Sequence, residues 1–203
     1  MTGLDRRRFL AGTAGLAMAA TACSDNKKGT GPSDDLATAT MLAGLEKLTL
    51  DTYTGIGTSF TQGRLGAALP PAVVEALAVA GRQHGEHLDL WNRMLTAAGR
   101  AAITGADTAL KPAVDQAVSR LVDVPGAATL ALRLEDYLSQ TYLKAIPTLG
   151  PDTVRAAAQI LVVDEQHQAV LRYLLGLSPV GSGLVREPSA FAPAAPQPTL
   201  LTG

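Results

Sequence analysis

The sequence predicts an all-α fold, a four-helix bundle of two antiparallel hairpins joined by one long crossover. Three observations carry this. Alanine and leucine dominate the 203 residues, only 4% are aromatic and β-branched runs are short, a composition that favours helix over sheet. Four long segments space their apolar residues by three and four, and the links between them run short, long, short. The segments also repeat themselves. Leu45-Glu46 with Tyr53 in the first is matched by Leu134-Glu135 with Tyr142 in the third, and His84-x-x-His87 in the second by Asp164-x-x-His167 in the fourth.

The N-terminus stands apart from the fold. Asp5-Arg6-Arg7-Arg8-Phe9-Leu10 matches the twin-arginine export pattern, and an apolar small-residue run follows from Leu10 to Ala22. That run is shorter than the ~20 residues needed to cross a bilayer as a permanent helix, so residues 1–22 read as a signal peptide. The single cysteine, Cys23, follows Ala20-Thr21-Ala22 and resembles a bacterial lipobox, with Ala20 where leucine is usual. Lipidation at Cys23 would anchor the chain in the cell envelope, facing outside the cytoplasm. The alternative is an incidental cysteine beside an ordinary cleavage site, but an unpaired thiol is unusual in an exported protein. Residues 23–34 offer nothing to bury and read as a flexible tether.

The first helix is expected from Asp35 to near Phe60, with Ser33 or Asp34 as its N-cap. A glycine-rich loop leads to Pro70-Pro71, which suits the first turn of a second helix reaching about Ala98, closed by Gly99. The link from Gly99 to Gly126 is long and holds its own helical stretch, Pro112 to Val122. The third long helix is expected after Val124-Pro125-Gly126 and stops before Pro147. The fourth opens at Pro151-Asp152 and ends near Gly176. Short first and last links make two antiparallel hairpins, and the long middle link is a crossover. Residues 177–203 are rich in Pro, Gly and Ala and read as irregular.

The repeated polar groups interrupt the apolar stripes. On the second helix the stripe reads Leu77, Ala80, His84, His87-Leu88, Trp91, Met94-Leu95. On the fourth it reads Ala157, Ile160-Leu161, Asp164, His167, Leu171. Steps of three and four keep these side chains on one face, so the histidines and Asp164 point inward at mid-bundle. Buried imidazoles and carboxylates need partners, which they find in one another or in a metal. A core hydrogen-bond network without metal is the alternative. Glu86 cannot stand in for His84, because two residues along a helix turn it to another face. Trp91 reads as packing.

In these residues the chain resembles the bacterial exported ferritin-like proteins, relatives of ferritin and rubrerythrin, over about residues 35–176. That family carries Glu on the first and third helices and Glu-x-x-His on the second and fourth. The resemblance places Glu46 and Glu135 at the single-glutamate positions and His87 and His167 at the histidine positions. His84 and Asp164 stand where metal-bridging glutamates are expected. It implies Glu46, His84, His87, Glu135, Asp164 and His167 as metal ligands, with Tyr53 and Tyr142 as hydrogen-bonding neighbours behind them or plain core. The set is richer in nitrogen and poorer in carboxylate than usual; imidazole with carboxylate suits iron, manganese or zinc, and the resemblance implies one or two ions of iron or manganese ahead of zinc. A single-metal site and an altered two-metal site both remain open, as does no metal at all.

Three functions are therefore expected to compete. One is a metal–oxygen oxidoreductase of the iron-oxidising or peroxide-defence kind. A second is a metal-sequestering envelope protein without turnover, and a third an interaction lipoprotein whose polar core is structural. Without residues 1–22 the chain holds 14 basic and 17 acidic residues and no basic run, which argues against nucleic acid as a partner. A monomer or small homo-oligomer, tethered to the membrane through Cys23, is the expected state.

Overall fold

The computed structural model describes residues 32–66 and 69–177, and every regular element among them is helical. The order is α1 (Pro32–Thr61), α2 (Pro71–Ala97), α3 (Lys111–Ser119), α4 (Val124–Ala145), a 3-10 turn (Ile146–Thr148) and α5 (Pro151–Leu174). The twin-arginine segment, Cys23, most of the tether and the tail from Ser178 lie outside the described residues. No described helix is long and apolar enough to cross a membrane.

Helix boundaries depart from expectation at three places. Helix α1 begins at Pro32, so Ser33 and Asp34 lie inside it. Proline is tolerated in a first turn, where its missing N–H has no helical partner anyway. Asp35 instead serves α5: its Oδ2 accepts from Gly150 N at 3.0 Å and Thr153 Oγ1 at 2.9 Å. Gly150 has no side chain with which to cap α5, so the cap comes from the other hairpin. Helix α4 starts at Val124 because Asp123, extended at φ −149° and ψ 167°, accepts from Gly126 N at 2.7 Å. Val124, Pro125 and Gly126 are therefore its first turn rather than its approach. Helix α3 ends at Ser119, short of Val122, and Leu121 turns into the core. Gly99, at φ +72°, closes α2 as expected.

The crossover is pinned rather than loose. The Asn92 amide grips the backbone of Ile103, donating to its carbonyl at 3.0 Å and accepting from its N–H at 2.7 Å. Further on, Asp107 N donates to Gly44 O of α1 at 2.9 Å. These bonds let the chain return to the end from which α4 must start.

Two apolar clusters fill the bundle, and they meet at one level. On α2 the core passes from Ala80 in one cluster to Leu88, Trp91 and Leu95 in the other. On α5 it passes from Ile160 to Leu171. Between those side chains lie His84 and His87 on α2, and Asp164 and His167 on α5, all buried. Each fully buried Leu or Ile contributes roughly 1.5–3 kcal/mol, so the two clusters hold the helices in register on either side of the polar level. Within each hairpin the helices pack closely, whereas α2 and α5 touch only sparsely.

Candidate metal centre

Glu46 and Glu135 come from α1 and α4 and are fully buried. Tyr142 of α4 donates its hydroxyl to Glu46 Oε1 at 2.5 Å, and Tyr53 of α1 donates to Glu135 Oε1 at 2.6 Å. Going seven residues forward on α1, from Glu46 to Tyr53, thus matches going seven residues back on α4, from Tyr142 to Glu135. That register requires the two helices to be antiparallel. The tyrosines sit behind the glutamates as expected, but each serves the glutamate of the opposite hairpin. Gly81 on α2 helps place Tyr53, since a Cβ there would stand 3.2 Å from Tyr53 Cβ. Trp91 does more than pack: its Nε1 donates to the Tyr142 hydroxyl at 2.9 Å.

His84 lies between the two glutamates. Its Nδ1 is 2.8 Å from Glu46 Oε2 and its Nε2 is 3.0 Å from Glu135 Oε1. The ring is fully buried and joins the hairpins through both nitrogens. His87 Nδ1 lies 3.4 Å from Glu46 Oε2 and 3.8 Å from Asp164 Oδ1. His167 Nδ1 lies 3.2 Å from Glu135 Oε1, and its Nε2 meets Gln83 Oε1 at 2.7 Å. All six expected residues therefore converge. They form two overlapping groups, Glu46–His84–His87–Asp164 and His84–Glu135–Asp164–His167, each with ligand atoms within 4.8 Å of one another. Glu86 stays outside, exposed and paired with Arg82 at 3.3 Å.

The field inside the cluster is uneven. Burial opposes charge on His84, but Glu135 and Glu46, by charge and by hydrogen bond, outweigh it and hold the imidazole well above its ordinary range. Burial would also raise Glu135, yet the positive field of His84 and the hydrogen bonds of His167 and His84 bring its carboxyl down to about 2. Asp164 goes the other way. Burial and the negative fields of Glu46 and Glu135 push it well above a normal aspartate. Without metal, then, the cluster favours a proton on His84, between two carboxylates, and on Asp164.

The donor set fits a metal. Five buried atoms of the cluster have no hydrogen-bond partner: His87 Nδ1, His167 Nδ1, Glu135 Oε2 and both carboxyl oxygens of Asp164. A buried polar atom left unpaired costs ~1–3 kcal/mol, and here the unpaired atoms are all potential ligands gathered in one place. A family model for the ferritin-like domain matches residues 34–177. The chain belongs to the ferritin-like domain family. Neither the curated proteins nor the solved structures include a match.

In this ferritin-like bundle each group pairs a Glu and a His from different helices, and His84 and Asp164 are common to both groups. Buried His, Glu and Asp side chains of this kind could hold a metal ion. Gln83, which faces His167, escaped the sequence reading. A half-buried glutamine beside His84 carries no distinguishing signal. Only its place one turn before His87, on the same helical face, hinted at it.

Proposed function

We propose that this ferritin-like protein binds one or two transition-metal ions, iron or manganese ahead of zinc, in the core cluster of Glu46, His84, His87, Glu135, Asp164 and His167. The observation that carries this reading is the set of five unpartnered ligand atoms within two overlapping groups. Glu46 with His87, and Glu135 with His167, would hold metal in the two halves, with Asp164 between them and His84 completing or bridging. A bound iron or manganese ion would supply a redox-active centre in a site walled by apolar side chains. The protein's own groups prepare the site. Tyr142 occupies Glu46 Oε1 and leaves Oε2 toward the histidines, whereas Tyr53 shares Glu135 Oε1 with His84 and His167. To serve as ligands, Asp164 and His84 would have to be free of the protons that the metal-free cluster favours on them.

The chemistry we favour is metal oxidation by oxygen or peroxide, as in iron storage or peroxide defence. No separate nucleophile or phosphate-binding loop in the sequence supports another reaction. The twin-arginine pattern and Cys23 support export and a lipid anchor in the cell envelope.

A second reading is favoured by one observation, the pair of hydrogen bonds from His84 to Glu46 and Glu135. An imidazolium there supplies positive charge where a metal otherwise would, and makes the polar core a structural network. Two measurements separate the readings. Elemental analysis of protein produced with iron and manganese available should find metal in the wild type and background levels in the His87→Ala/His167→Ala variant. Background metal in both leaves the structural network. Oxygen consumption on addition of ferrous iron separates an oxidoreductase from a metal-sequestering protein, which would bind without consuming oxygen.

A further inference from the structure

We infer that Gln83 is a positioning residue for His167, holding its ring by Nε2 so that Nδ1 is turned into the core. The bond between Gln83 Oε1 and His167 Nε2 is 2.7 Å long. An amide oxygen only accepts, so the ring must donate from Nε2. His167 Nδ1, by contrast, is buried and makes no aligned hydrogen bond, although Glu135 Oε1 is 3.2 Å away. A ring held through its Nε2 proton leaves Nδ1 as the nitrogen that faces the space where the ligand groups converge.

The bond is part-buried. Gln83 and His167 lie in a cleft of about 240 Å³ between α2 and α5, with Leu77, Val79, Ala80 and Leu171 among its walls. The arrangement serves one half of the cluster only. His87 Nε2 has no hydrogen-bond partner among the described residues. In the repeated hairpin, the position that precedes Asp164 as Gln83 precedes His84 is Val163, which cannot accept a bond. The Glu135–His167 half is therefore better prepared than the Glu46–His87 half.

The purpose of this device rests on the proposed metal binding, but its existence is tested without metal. In the metal-free full chain, the His167 ring should show a protonated Nε2 in long-range 1H–15N correlation spectra. Gln83→Leu should average the tautomers. A wild-type ring with no proton on Nε2, or a pattern unaltered by Gln83→Leu, overturns the inference. In Mn²⁺ titrations by calorimetry, Gln83→Leu should bind roughly ten- to a hundred-fold more weakly, while Gln83→Glu, which keeps an acceptor, retains affinity. A shifted tautomer with unchanged Mn²⁺ affinity overturns the role toward metal. Should the wild type take up no Mn²⁺ while its tautomer still depends on Gln83, the proposed function fails and the positioning of the ring stands.

Discussion

Tyr53 on α1 donates its hydroxyl to Glu135 on α4, 2.6 Å away in the opposite hairpin. Tyr142 answers from α4 to Glu46, and the two bonds lock the halves of the bundle together across the polar level. The pairs differ in one respect: Tyr142 also accepts from Trp91 Nε1, whereas Tyr53 has only its glutamate.

That difference predicts unequal costs. Tyr53→Phe removes one hydrogen bond to a charged group and should destabilise the metal-free protein by about 1.5–3 kcal/mol. Tyr142→Phe removes the same kind of bond and also strands the buried Trp91 N–H, so it should cost about 1–3 kcal/mol more. Guanidinium unfolding of the two variants checks the order. Equal costs would mean that the Trp91 bond contributes nothing.

His84→Leu should be the most damaging single change in the metal-free protein. It leaves Glu46 and Glu135 buried without their shared cation, a loss of about 3–5 kcal/mol. Thermal unfolding should show it, and an unchanged melting temperature would contradict the role given to His84.

The shifted groups also predict how stability responds to pH. His84 is raised in the folded state, so its contribution is complete below the ordinary histidine range and fades as pH rises through its folded value. Asp164 is raised too; the folded state holds its proton longer than the unfolded state, and stability falls as pH climbs from the ordinary aspartate range through its folded value. Glu135, lowered to about 2, acts in reverse: its contribution is complete above the ordinary glutamate range and is lost as pH falls toward 2. The metal-free protein should therefore weaken on the alkaline side and again in strong acid. Metal has the opposite slope, because it must displace the protons of Asp164 and His84. Mn²⁺ should stabilise the protein more at higher pH, and its binding should release protons. Calorimetry in buffers of different ionisation enthalpy measures that release.

Asp35→Ala should leave the cluster intact and loosen α5. The bonds to Gly150 N and Thr153 Oγ1 cap α5 from α1, and their loss should cost about 0.5–2 kcal/mol. Hydrogen exchange should quicken first at the start of α5. Uniform acceleration over the whole bundle would contradict a local cap.

Much of this was legible in the sequence because the informative residues repeat. Glu46 and Glu135, with the pairs around His87 and His167, mark equivalent levels of two hairpins, and their helical spacing forces them inward. What the sequence hid depends on relations between helices. The crossing of Tyr53 to Glu135 follows from the antiparallel run of α1 and α4, which no spacing within one helix reveals. Gln83 is likewise identified only by the ring it meets on α5. Asp35 looked like part of a helix start and proved to be the cap of another helix. The start of α4 was misplaced because Pro125-Gly126 resembles a turn, while Asp123 supplies the cap that lets both residues enter the first helical turn.

The central claim is that metal occupies the space between Glu46–His87 and Glu135–His167. Crystals grown with Mn²⁺ and measured at a wavelength where manganese scatters anomalously test it most directly. The expected result is one or two anomalous peaks inside the cluster, in contact with His87 or His167 and with Asp164. A map without a peak there, with His84 still bonded to both glutamates, would contradict the claim and leave the polar core a structural network.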